Sequence, residues 1–94
     1  NKRIITKDNI KGAPDMIIEV FSSSTFKRDM GIKKKLYARH GVQEYWIVDP
    51  EHKTVDVFLL KDKEFNGKRY HLKDTISSSV IQDLRIGAKE IFQE

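Results

Sequence analysis

Ninety-four residues, 38% of them hydrophobic and 34% charged, with no cysteine, build one small domain with a thin core. That balance excludes a disordered chain, a disulfide framework and a thiolate metal site, and it fits a reducing, cytoplasmic setting. The net charge of +4, from 18 basic and 14 acidic side chains, is compatible with nucleic acid without singling it out. No apolar stretch nears the roughly 18–20 residues that cross a bilayer, so no membrane partner is expected.

In chain order, Asn1 to Lys11 is polar, with Ile4-Ile5 predicting a short strand or arm. Gly12-Ala13-Pro14-Asp15 then leads into the apolar run Met16-Ile17-Ile18-Glu19-Val20-Phe21, which predicts a strand over 16–21 buried on both faces. Ser22 to Thr25 stop that strand and offer N-caps for a helix over 26–40, which Gly41 ends as an αL residue. Glu44 to Asp49 predict a second apolar strand, closed by Pro50. Strand, helix and strand with short joints make a βαβ unit, whose strands run parallel with a right-handed crossover. Thr54 to Leu60 is expected to return antiparallel after a hairpin loop. A further strand over 64–72 follows the Lys61-Asp62-Lys63 turn, with Asn66-Gly67 inside it as a bulge or turn. From Asp74 the tail has a Ser-rich joint, the short apolar Val80-Ile81 and a final helix near Ala88 to Phe92. The sum is one α/β domain over 1–94 with a mixed sheet. Because it begins at Asn1 rather than a methionine, it is expected to lack its N-terminal part.

Glu19 breaks the apolar pattern. A carboxylate in a buried strand costs several kcal/mol or more unless it is paired, protonated or bound to a metal. Laid out at about 100° per residue, the helix gathers Phe26, Met30, Leu36, Tyr37 and His40 on one face, with Lys33 in the middle of it. Lys34 and Lys35 are expected to point away. Glu19 and Lys33 therefore belong to elements that must pack together. Two readings stand: a structural salt bridge, or an active site in which Glu19 holds a divalent metal while Lys33 orients a water and steadies charge on a phosphate. Lys27, Arg28, Lys34, Lys35 and Arg39 crowd the same segment, which a solvated helix face would also explain.

Several of these pieces together resemble the putative restriction-endonuclease (Uma) family of the PD-(D/E)XK nuclease superfamily, otherwise described as a domain of unknown function. They are Gly12-Ala13-Pro14-Asp15 before MIIEV, Ser22-x-Ser24-Thr25, Arg28-Asp29, Lys33-x-x-x-Tyr37 and Gly41-Val42-Gln43-Glu44-Tyr45-Trp46-Ile47-Val48-Asp49-Pro50. The likeness is close over Gly12 to Leu60 and looser beyond. It implies a restriction-endonuclease-like mixed β-sheet in which the βαβ unit is followed by antiparallel strands. It also implies a Mg²⁺- or Mn²⁺-dependent endonuclease acting on DNA. By this resemblance Glu19 is the strand acid and Val20 offers a backbone carbonyl to the metal. Phe21 stands where the superfamily places its lysine, and Lys33 matches the helical lysine of this family. Tyr37 resembles a helical tyrosine found near the site in related nucleases. Lys27, Arg28, Lys34, Lys35 and Arg39 would meet DNA phosphates.

Pro14-Asp15 spells the motif's first two letters, but four residues of strand span roughly 13 Å, while a calcium ligand lies within about 2.3–2.6 Å. Asp15 is therefore read as a strand-entry residue in a supporting place. The partner acid is expected from a neighbouring strand, upstream of Asn1. Tyr45 and Trp46 read as packing residues, Asp49-Pro50 as a turn, and His40, His52 and His71 show no metal-ligand spacing. The alternative function is a non-catalytic nucleic-acid-binding or protein-interaction module that keeps the fold with an incomplete site. Open strand edges would favour a homo-oligomer.

Overall fold

The computed structural model describes residues 2–8, 14–20 and 26–92, with side chains described over 15–20 and 31–92. Five strands form the main sheet: β1 (Lys2–Asp8), β2 (Pro14–Val20), β3 (Glu44–Asp49), β4 (Thr54–Lys61) and β5 (Glu64–Tyr70), in that spatial order. Only β2 and β3 pair in parallel, and α1 (Phe26–Arg39) connects them. The other three pairings are antiparallel. The mixed sheet with its βαβ unit is thus present. β2 begins two residues earlier than its apolar run suggests, because β1 pairs with it out to Pro14, and Phe21 lies outside the described residues.

Alternation along each strand sends side chains to opposite faces, and each face has its own core. Ile17, Tyr45 and Ile47 meet Tyr37 and Val42 from the α1 side. Met16, Trp46, Val48, Val55 and Val57 face the other way, against Ile76 and Ala88 of the tail. That tail is a small second sheet, β6 (Thr75–Ser77) with β7 (Arg85–Gly87), followed by the short helix α2 (Ala88–Ile91). Neither β6 nor β7 shows in the sequence pattern, since three-residue strands leave no period to read. The sheet thus lies between α1 and the tail.

Two sequence expectations are corrected. Asn66-Gly67 makes neither turn nor bulge: β5 runs unbroken, and Gly67 sits opposite Phe58 in register. A Cβ on Gly67 would lie 2.7 Å from Phe58 Cδ1, so the glycine is there to let the ring lie across the strand. The helix face is also rotated. Tyr37 is buried, but Leu36 is 42% exposed and His40 is exposed, while Lys34 turns inward with its Nζ 4.2 Å from the centroid of the Phe58 ring. The contact stripe thus runs through Lys33, Lys34, Tyr37 and Ala38, because the helix leans toward β5 rather than lying centred over β2.

The tail is fastened by a second buried carboxylate. Glu44 is fully buried on the tail face, where its Oε1 accepts the backbone N–H groups of Ser79 (2.8 Å) and Val80 (2.9 Å) and the Ser78 hydroxyl (3.0 Å). Its Oε2 accepts the Trp46 indole N–H. Four donors from two separate segments converge on one side chain, so the charge is solvated by the protein itself. Glu44→Ala is expected to lower unfolding stability by at least about 1–3 kcal/mol, the cost of leaving a buried donor unsatisfied, as read from urea denaturation.

Candidate active site

Glu19 sits one residue before the end of β2, 3% exposed, on the α1 face of the sheet. In open α/β sheets ligands gather outside the carboxyl ends of parallel strands, and β2 and β3 present that edge here. Three side chains meet the carboxylate. Lys33 of α1 places Nζ 3.3 Å from Oε2, Tyr37, one turn later, donates its hydroxyl to the same oxygen at 2.9 Å, and Tyr45 of β3 donates to Oε1 at 2.8 Å. The i, i+4 spacing of Lys33 and Tyr37 puts both on one helix stripe above Glu19. The Tyr45 partner strand is fixed by the parallel register, in which Ile17 pairs with Tyr45 and Glu19 with Ile47. The two tyrosine rings pack edge to face, their centroids 5.0 Å apart at 82°.

The electrostatics follow from burial. The Lys33 side chain is 30% exposed and that of Glu19 only 4%, so the cation reaches down from the rim onto a desolvated anion. Two phenolic donors then complete the shell that water would otherwise provide. A carboxylate offers roughly four lone-pair directions, and the bonds from the described residues use three of them. Among the described residues no buried side-chain nitrogen or oxygen lacks a partner.

The neighbouring acids are committed elsewhere. Asp56, in register with Ile47 and thus two strands from Glu19, is held by Arg69 through Nε at 2.8 Å and Nη2 at 3.1 Å. That hydrogen bond, and then the charge of Asp56, raise the Arg69 pKa above its ordinary value. At a strand spacing of about 4.8 Å, Asp56 lies on the order of 10 Å from Glu19 across the sheet. Asp49 closes the turn after β3: Oδ1 accepts the backbone N–H groups of Glu51 and His52, and Oδ2 lies 2.9 Å from His52 Nδ1. Among the described residues no three His, Cys, Asp or Glu side chains group to hold a metal ion. As a single carboxylate at a strand end, Glu19 suits one coordination position of magnesium, which uses one or two carboxylates and fills its remaining positions with water and phosphate oxygens.

Of the residues singled out from sequence, Glu19, Lys33 and Tyr37 come together, and Val20 follows Glu19 at the end of β2. Asp15 lies four residues away at the start of the strand, where its carbonyl accepts the Gln43 N–H at 3.0 Å. Lys34, Lys35 and Arg39 lie further along α1. Lys27 and Arg28 also belong to α1, but their side chains lie outside the described residues. Sequence reasoning missed Tyr45, taken as packing. The only available signal was its parity with Ile47 in a strand parallel to β2, which becomes meaningful once register is known.

Replacing Tyr45 with Phe removes a hydrogen bond to a buried charge and is expected to cost about 1.5–3 kcal/mol. Lys33→Met is expected to lower the melting temperature, and adding Glu19→Gln to recover part of the loss by removing the stranded charge. Calorimetric melts of the three variants check both statements.

The family model described as Putative restriction endonuclease (Uma2) matches residues 1–89. No curated protein sequence matches the chain. Among solved structures, a putative nuclease of DUF820 from Anabaena variabilis superposes with a TM-score of 0.70 at 21% identity. The match covers 90% of this chain and 51% of that one, so the chain spans about half the length of its structural neighbour. At that identity the likeness establishes the fold.

Proposed function

The chain belongs to the putative restriction endonuclease family, and from that premise we propose that it is a divalent-metal-dependent, endonuclease-like domain that hydrolyses DNA phosphodiester bonds. The observation that carries the proposal is the Glu19 carboxylate: buried at the carboxyl edge of the parallel pair and met there by a partly exposed lysine. Glu19 and the backbone carbonyl of Val20 would hold Mg²⁺ or Mn²⁺. When bound, such an ion acts as a Lewis acid toward the phosphoryl oxygen and lowers the pKa of bound water. The rest falls to the chain itself. Lys33, on the solvent side of Glu19, would orient the attacking water and stabilise charge developing on the phosphate. Tyr37 and Tyr45 hold one carboxylate oxygen each, which fixes the orientation of the group. Asp15 marks the strand entry and is given no part in the chemistry. The basic residues of α1 would meet DNA phosphates.

A second reading has its own observation: the partners of Glu19 already balance its charge without any ion. A nucleic-acid-binding or protein-interaction module with the same fold would show that arrangement too. The two are separated by incubating supercoiled plasmid with the intact protein and Mn²⁺. Nicking is expected from the wild type, with a loss of at least about a hundredfold in Glu19→Ala and in Lys33→Ala, the scale of removing a transition-state contact. Equal nicking by wild type and Glu19→Ala would sink the proposal.

A further inference from the structure

At the opposite end of α1 from Phe26, a groove of about 370 Å³ opens between the helix and the β4–β5 hairpin, lined by Lys34, Lys35, Ala38, Arg39, Lys63, Glu64 and Phe65. Four of those residues are cationic and one is acidic. Among the described residues none of the four cations is in an ion pair; the described salt bridges involve Lys33, Arg69, His52 and His71. Arg39 in the last helical turn complements the helix dipole. That does not account for Lys34 or Lys35 one turn earlier, nor for Lys63 on the facing hairpin.

The geometry of the groove is built rather than incidental. The hairpin turn between Lys61 and Glu64 has two residues, Asp62 at φ +53° and Lys63 at φ +69°. Both positions favour glycine or asparagine, so a lysine there is held against its backbone preference. The strained residue is one of those facing the helix. Ala38 is the small residue of the lining, and the Lys34 ammonium rests over the Phe58 ring, its Nζ 4.2 Å from the centroid, from which it can swing to a phosphate. Phe65 is half-buried, its ring 6.0 Å from Tyr45 and 6.3 Å from Phe58, with part left on the groove wall.

Cations along a cleft with an aromatic wall are the arrangement by which proteins hold one strand of nucleic acid: the charges follow the backbone and the ring takes a base. The volume lies in the range of a small-molecule site, enough for a nucleotide of one strand to enter with its base toward Phe65. We propose that this groove binds a single-stranded segment of nucleic acid, with Lys34, Lys35, Arg39 and Lys63 on its phosphates and Phe65 against a base. Resting on the nuclease reading above, the assignment adds a second contact for the substrate strand. Lys34 to Arg39 continue along α1 from Lys33, so the strand that reaches Glu19 extends toward the hairpin. An acidic protein segment would answer the charge but makes no use of the aromatic wall.

The test is fluorescence anisotropy of a labelled oligonucleotide, single-stranded or duplex, with the intact protein in EDTA, across a salt series. The variants are Lys34→Gln with Arg39→Gln and Lys63→Gln in one chain, Phe65→Leu, and Glu19→Gln; circular dichroism confirms that each is folded. The single strand is expected to bind tighter than the duplex. The triple variant should weaken binding at least about tenfold and flatten the log K against log salt slope by about 2, at roughly 0.7 per lost phosphate contact. Phe65→Leu should weaken it severalfold with an unchanged slope, because stacking is uncharged. Glu19→Gln, which removes an anion from the path of the strand and frees Lys33, should bind at least as tightly as the wild type. Wild-type binding with an unchanged triple variant overturns the groove and leaves the nuclease reading standing. Binding of poly-glutamate as tight as of the oligonucleotide overturns nucleic acid as the occupant. Plasmid nicking by the triple variant at the wild-type rate and salt dependence overturns the proposed path of the strand. Absence of any oligonucleotide binding by the wild type overturns the groove, while the nicking assay with Mn²⁺ decides the nuclease reading separately.

Discussion

The structure around α1 is organised by the need to neutralise one buried charge. Glu19 lies within the pairing of β1, β2 and β3 and cannot turn out to water, so compensation has to come from the elements packed on top of it. Lys33, Tyr37 and Tyr45 supply it from a helix and an adjacent strand. Burying the anion without them would cost several kcal/mol. The helix is therefore constrained in rotation as well as position: it must place residues 33 and 37 over residue 19.

The two faces of the sheet solve the same problem differently. Glu44 on the tail face is met by backbone N–H groups, a serine and an indole, all neutral and all close to its oxygens. Among the described residues no cation takes part, and the result fastens the tail loop to β3. Glu19 has a cation reaching in from the rim near the strand end. A carboxylate enclosed by neutral backbone donors is suited to holding structure. A carboxylate at a strand edge beside a partly exposed lysine is suited to chemistry on a charged ligand. The contrast within one small domain supports placing function on the α1 face.

Along α1, neighbouring lysines take different roles according to what lies beneath them. Lys33 covers Glu19, and Lys34 covers an aromatic ring. The drift of a 3.6-residue helix across a twisted sheet separates them, and the lean toward β5 draws Lys34 to Phe58. A run of basic residues read as a solvated face thus divides into one residue for the carboxylate and others for the groove beside the hairpin.

The amino-acid sequence by itself determined the βαβ order, the parallel pairing it enforces and the anomaly of a carboxylate in an apolar strand. Local patterning is sufficient for those: run length, caps and the αL Gly41 at φ +80° are properties of neighbours in the chain. It also pointed to Lys33, since the helical period places that residue inward whatever the sheet beneath. Only the tertiary structure decided the hydrogen bond from Tyr45 to Glu19, the fastening of the tail by Glu44, and the hairpin lysine that faces α1. Each joins residues from 20 to nearly 40 positions apart in the chain. Strand register, the lean of the helix and the path of the tail bring them together, and none of those is encoded in a period that a single segment can show.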